Sequence, residues 1–213
     1  MFKQLKEIRC VEKNTTLKNK LIVTAGLLIL GVVLGVFSKY LDCTGSNELP
    51  YLIQILDVSN FLSRIAIWVL IAVGISVYSS SPIKAGIDVF AFFLGMVTSY
   101  YLYSNYIAGF FPKSYAMIWF GITLISPLLA YVCWYAKGKG KISKLLSAMI
   151  LSVLFNMTFA YGWGYFEPYS LLEALTFFAG ILIMKRATIK ETIWIVIAGI
   201  AFAAFIRTVF LYI

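Results

Sequence analysis

The chain has 213 residues, 62% of them hydrophobic and only 13% charged, and its 18 Lys and Arg against 9 Asp and Glu leave a net charge of +9. A soluble domain carries about 25% charged residues and roughly 45–50% apolar ones, so this chain has too little polar surface for water and matches lipid instead. The positive charge would point to nucleic acid in a soluble protein, but here it falls in short segments between apolar runs, the pattern that orients a chain in a bilayer.

A transmembrane helix needs about 20 largely apolar residues. On that scale residues 1–16 read as a basic cytoplasmic segment and 17–213 as one transmembrane helical domain. The basic segment holds Lys3, Lys6, Arg9 and Lys13, and its sequon Asn14-Thr15-Thr16 would face the cytoplasm and stay unused. The first span, 17–40, has no small-residue cleavage pattern after it and reads as a retained signal anchor. Gly31-x-x-x-Gly35 gives it a small-residue packing face. Residues 41–60, with the stretch LPYLIQILD, are expected to form an interfacial or re-entrant turn. A second span covers 61–78. Ser81-Pro82 supplies an N-cap and an N1 proline for the third, 82–103.

The fourth span, 115–136, leads into KGKGK, which lacks the strand–loop–helix context of a phosphate loop and reads as a topology anchor that attracts anionic lipid. The fifth span is 143–161. YGWGYFEPYS follows, where Gly162, Gly164 and Pro168 break the helix and predict a mobile aromatic loop. Ser170-Leu-Leu-Glu173 is a capping box opening a short sixth span, 171–186. Thr188-Ile-Lys-Glu191 is another opening the seventh, 189–212, which carries Gly199-x-x-x-Ala203.

Seven spans bring fourteen of the eighteen basic residues to one side, including Lys84, Lys137, Lys139, Lys141, Lys144, Lys185, Arg186 and Lys190. Lys and Arg collect in cytoplasmic loops, so the N-terminus is expected inside and the C-terminus outside. A six-span chain would put one basic loop on the wrong face. The expected fold is therefore all-α, a polytopic helical bundle in a bacterial cytoplasmic membrane, with Tyr and Trp of the outer half forming an interfacial belt.

Ionisable groups at membrane depth are costly and are candidate functional residues by default. Arg64, Asp88, Glu173 and Arg207 qualify. Asp88 lies four residues after Lys84, one helical turn away on the same face, which predicts a local ion pair; the alternative is an ion or proton site. Glu173 sits at the N3 position of its capping box, and a Glu173–Arg207 pair is expected to close the outer end of the bundle. The functional alternative gathers Arg64, Glu173 and Arg207, with Asn156 beneath the aromatic loop, around an anionic solute or lipid headgroup. The absence of His removes the commonest general base and metal ligand, and Cys10, Cys43 and Cys133 have no CxxC spacing, so no catalytic, cofactor or metal site is expected.

The runs SPIKAG, FFLGMVTSYYLYS, FFPKSY and SPLLAYVCWYAKGKGK resemble a small family of bacterial multi-pass membrane proteins, a resemblance that supplies no functional residues. In size the chain is also similar to the substrate-binding subunits of energy-coupling-factor vitamin transporters. Those have six spans and an Ala-x-x-x-Ala surface in the first, where this sequence offers seven and Gly31-x-x-x-Gly35.

The functional expectation is a non-enzymatic protein that binds or transports a small solute or lipid through an outward-facing cavity lined by Arg64, Asn156, Glu173 and Arg207, with Asp88 as a coupling site. The alternative is a structural or regulatory subunit that docks to another membrane protein through its small-residue faces. The expected partners are membrane lipids, a small-molecule or lipid ligand or a membrane-protein partner, and not nucleic acid.

Overall fold

The structure is a computed structural model that describes residues 7–11 and 16–211. Lys3, Lys6, Lys13, most of the sequon and Tyr212 lie outside the described residues. Apolar runs of helical length dominate the sequence, and in lipid each must satisfy its own backbone, so they fold as helices. They are α1 (Leu17–Cys43), α2 (Tyr51–Ile55), α3 (Val58–Ser63), α4 (Ile65–Tyr78), α5 (Pro82–Tyr106), α6 (Lys113–Trp134), α7 (Gly140–Thr158), α8 (Leu171–Met184) and α9 (Ile189–Leu211), with strands β1 (Phe159–Gly162) and β2 (Tyr165–Pro168) between α7 and α8. Among the described residues the fold is all-α apart from that hairpin.

Local chemistry explains the helix starts. The Thr16 hydroxyl accepts from the Asn19 N–H, Ser81 from Lys84 with Pro82 in the first turn, and Ser170 from Leu172 and Glu173. The Glu191 N–H donates to Thr188 at 3.2 Å, so α9 begins as its own helix after α8.

Among the described residues five helical stretches are long and apolar enough to cross a membrane: Leu17–Cys43, Pro82–Tyr106, Lys113–Lys137, Gly140–Thr158 and Ile189–Val209. Helices α4 and α8 have 14 residues each, about 21 Å against a hydrocarbon core of about 30 Å. The expected second span, 61–78, is in fact broken. Residues 58–63 form α3, Arg64 turns extended at φ −90° and ψ 152°, and α4 starts at Ile65. The 41–60 connection is a run of short helices with Asp57 left-handed at φ 50°.

The expected mobile loop is a hairpin with Phe159 opposite Pro168 and Gly162 opposite Tyr165. Its order comes from aromatic packing. The Phe159 ring stacks on Phe166 at 5.1 Å and meets Phe177 edge-on at 5.4 Å. Gly164, at φ 86°, supplies the left-handed position of the turn.

The most extensive helix–helix contact joins α1 to α5. Gly31 and Gly35 lie directly on the Phe92 and Met96 carbonyls of α5, and Gly95 of α5 lies on the Leu28 carbonyl of α1, with no room at any of the three for a Cβ. Gly199 of α9 packs closely, though less tightly, against Ala148 of α7, a Cβ there falling 3.0 Å from its carbonyl oxygen. Both small-residue faces are thus used inside the chain rather than left open to a partner.

Two apolar cores result. One surrounds α5, with Phe92, Met96, Val97, Trp68 and Trp134; the other joins α7, α8 and α9 through Leu151, Leu154, Phe155, Phe177 and Ile195. Helix α4 serves both, giving Trp68 to the first and Leu70 and Val73 to the second. Much of α1 and α9 is exposed apolar surface, Leu21, Ile29, Val33, Ile193 and Phe205 among it, as lipid-facing helices require.

The bundle has two chemically distinct ends. At the lysine-rich end Arg9 donates to the Trp134 and Val77 carbonyls at 2.7 and 2.9 Å, and the Lys139 N–H donates to the Ile8 carbonyl at 2.6 Å. The described N-terminal residues are therefore docked onto the domain there. The aromatic end carries the hairpin, and Arg207, near the end of α9, reaches it.

Candidate functional site

Asp88 sits near the lysine-rich end of α5 and is 2% exposed. The i, i+4 spacing brings the Lys84 ammonium to its Oδ1, and Lys84 also donates to the Thr24 hydroxyl at 2.9 Å. The Thr24 hydroxyl lies 2.8 Å from Oδ1, and the Ser79 hydroxyl lies 3.4 Å from Oδ2. Both carboxylate oxygens are engaged by protein, which makes this cluster a staple tying α1, α5 and the α4–α5 turn together. The local ion pair expected between Lys84 and Asp88 is present.

At the aromatic end the partners differ from those expected. Glu173, 1% exposed in the first turn of α8, pairs with Arg64 at 3.3 Å, not with Arg207. The second Glu173 oxygen accepts the Ser170 hydroxyl. Arg64 occupies the break between α3 and α4 and also stacks over the Tyr169 ring at 4.7 Å. Arg64 Nη1 and Glu173 Oε1 are buried and close enough to attract as charges, but neither has a hydrogen-bond partner.

Arg207 instead lies over the Tyr161 ring at 4.4 Å and donates to the Tyr165 hydroxyl at 3.2 Å. The Tyr161 hydroxyl donates to Asn156 Oδ1 at 2.6 Å. The four expected cavity residues thus divide into two sets, Arg64 with Glu173 and Arg207 with Asn156. The hairpin supplies the tyrosines of the second set.

A small concavity at this end, about 40 Å³, is lined by residues such as Ser38, Trp68, Tyr101 and Trp119, without any of those four. Tyr101 is 4% exposed and its hydroxyl has no hydrogen-bond partner. That volume suits a water molecule or two, not a solute. Sequence reasoning missed Tyr169 and Tyr101 because both belong to aromatic runs that a membrane-interface belt already explains.

A larger basin, about 480 Å³, opens at the lysine-rich end between the KGKGK segment and the α8–α9 link. Two glycines shape its rim. Gly138 is pressed against the Ile8 carbonyl, and Gly140 has φ 87°. Arg186 braces the rim from behind, donating to the Gly138 carbonyl at 2.9 Å and to the Ser143 and Ser147 hydroxyls at 2.9 and 3.0 Å. Burial pulls the Arg186 pKa below its ordinary value, yet a guanidinium remains charged. Lys144 pairs with Glu191 at 2.6 Å. Among the described residues no three His, Cys, Asp or Glu side chains gather as metal ligands.

Long apolar helices, an exposed apolar perimeter and charge confined to the ends define an α-helical, membrane-embedded protein. No family model, curated protein or solved structure matches the chain.

Proposed function

We propose that the protein is a non-enzymatic component of a bacterial cytoplasmic membrane that binds, or carries across, a small polar solute or lipid at its aromatic end. Seven crossings, with the short α4 and α8 held in locally thinned bilayer, put the lysine-rich end in the cytoplasm and the aromatic end outside.

The observation that carries this reading is the Arg64–Glu173 pair. Two helices too short to cross alone, α4 and α8, begin on either side of it, and its two buried facing atoms, Arg64 Nη1 and Glu173 Oε1 at 3.3 Å, attract as charges without a hydrogen bond. Interrupted or short helices whose N-termini meet at a polar group are how membrane transporters build binding sites, because the helix ends and the unpaired groups are answered by the ligand. Tyr169, just after the hairpin, stacks over Arg64 of the pair, and Tyr161 and Tyr165 of the hairpin are engaged by Arg207.

The experiment is thermal unfolding of the detergent-purified protein against a panel of amino acids, carboxylates, sugars and short-chain lipids. At least one compound should raise Tm, and the rise should vanish in Glu173→Gln and Arg207→Ala. A rise kept in both variants would remove the aromatic end as the site. Co-purification of a second membrane protein, with no response to any compound, would favour the alternative of a structural or regulatory subunit. Such a subunit would dock through a surface other than its Gly31 and Gly199 faces, which are already packed.

A further inference from the structure

We infer that the basin at the lysine-rich end is a binding site for a phosphate group, presented by an anionic lipid headgroup or by a soluble phosphate compound. Six cations, Lys137, Lys139, Lys141, Lys144, Lys185 and Arg186, line a space of about 480 Å³ together with a single carboxylate, Glu191, which Lys144 already holds at 2.6 Å. A positive excess collected in a concavity is self-repelling, and a bound anion relieves it.

A charge signal for membrane orientation needs lysines near the span ends but does not need them to converge. Here the backbone makes them converge. The Lys139 N–H is bonded to the Ile8 carbonyl at 2.6 Å, Gly138 is packed beneath the same segment, and Arg186 grips the Gly138 carbonyl. Gly140, at φ 87°, then turns the chain directly into α7.

The start of α7 adds a second attraction. Lys139 at its N-cap makes no side-chain cap hydrogen bond, and Gly140 and Lys141, the first two residues of the helix, both line the basin. Uncapped N–H groups at the positive end of a 19-residue helix favour a multivalent oxyanion. The volume accommodates a phosphate with the rest of a headgroup. The position, just past the apolar part of α6, is headgroup depth for a chain that spans the bilayer.

The test measures unfolding in dodecyl maltoside at constant ionic strength with three probes: dioctanoyl phosphatidic acid, inorganic phosphate and dioctanoyl phosphatidylcholine. Either anionic probe, phosphatidic acid or inorganic phosphate, at about five times its Kd should raise Tm by about 2–4 °C, whereas phosphatidylcholine, whose phosphate is neutralised by its own choline, should raise it clearly less. Lys139→Ala/Lys141→Ala should lose that rise, and Lys113→Ala, a lysine of the aromatic end, should keep it. Both substituted lysines of the basin are exposed, so the double variant should unfold near the wild-type temperature without a probe.

A response to phosphatidic acid alone assigns a lipid headgroup, and an equal response to inorganic phosphate assigns the free anion. The inference is overturned by no response to either, by an equal response to phosphatidylcholine, or by a rise that Lys139→Ala/Lys141→Ala retains or that Lys113→Ala also loses. The Glu173→Gln protein should respond normally, which separates this site from the one proposed at the aromatic end.

Discussion

Asp88 shows how a single carboxylate is held inside an apolar run. Its cost in lipid is met by Lys84 on its own helix and by two hydroxyls from elsewhere, Thr24 on α1 and Ser79 before α5. The helical repeat made the Lys84 contact legible in the sequence, since residues four apart share a face. Thr24 was not legible, because nothing local says which helix packs against α5. Breaking a buried pair strands the remaining charge, so Asp88→Asn should lose about 3–5 kcal/mol, read as a fall in Tm in detergent. Lys84→Met/Asp88→Leu should lose clearly less than Asp88→Asn, because the double change leaves no stranded charge. Losses that simply add across the two positions would show that the pair is not a unit. At Arg207, charge alone suggested Glu173 as the partner, whereas the folded chain offers Tyr161 and Tyr165, which only the hairpin brings within reach.

The same division holds for whole elements. Caps at Ser81, Ser170 and Thr188 were written in the sequence, and the helices begin where those side chains can accept backbone N–H groups. The break at Arg64 was not written there. No Pro or Gly marks it, and an apolar run from Phe61 to Tyr78 reads as continuous. The break follows from tertiary demand, since it is at this bend that Arg64 meets Glu173 and Tyr169. The hairpin is similar. Its glycines marked a turn, but its order rests on Phe159, Phe166 and Phe177 finding one another across more than one element.

The α1–α5 contact yields a paired prediction. Gly31→Val puts side-chain atoms where the Phe92 carbonyl already lies, forcing the two helices apart, and should lower Tm sharply, by an overpacking cost of about 1–3 kcal/mol or more. Gly26→Ala on the same helix meets nothing within 4 Å and should be neutral or stabilising, by up to about 1 kcal/mol from helix propensity. Equal effects at the two glycines would mean that α1 does not pack closely on α5.

At the scale of the molecule, the charge map and the fold describe the same polarity. Arg9 and the KGKGK lysines share one end, while Asp42, Tyr100 and the hairpin mark the other; Asp42 accepts from both the Ser63 and Tyr100 hydroxyls. The proposed orientation is testable in intact cells with a membrane-impermeant maleimide. Cys43, exposed at the end of α1, should be labelled directly. A cysteine introduced as Lys141→Cys in a Cys43→Ser background should be labelled only after permeabilisation. Labelling of both positions from outside would refute three crossings between them and with it the seven-span chain with its lysines indoors.

What the sequence determined by itself is the membrane-embedded helical class and a clustering of basic residues between the apolar runs. These follow from composition and from backbone groups that lipid forces to pair within each segment. Only the tertiary structure decided which residues meet. It joined Glu173 to Arg64, seated Arg207 on tyrosines, left a concavity of about 40 Å³ at the aromatic end and opened a basin of about 480 Å³ at the lysine-rich end. The physical reason is that helix formation and membrane partition are local, read one segment at a time, whereas a contact between two segments depends on how both pack against every other.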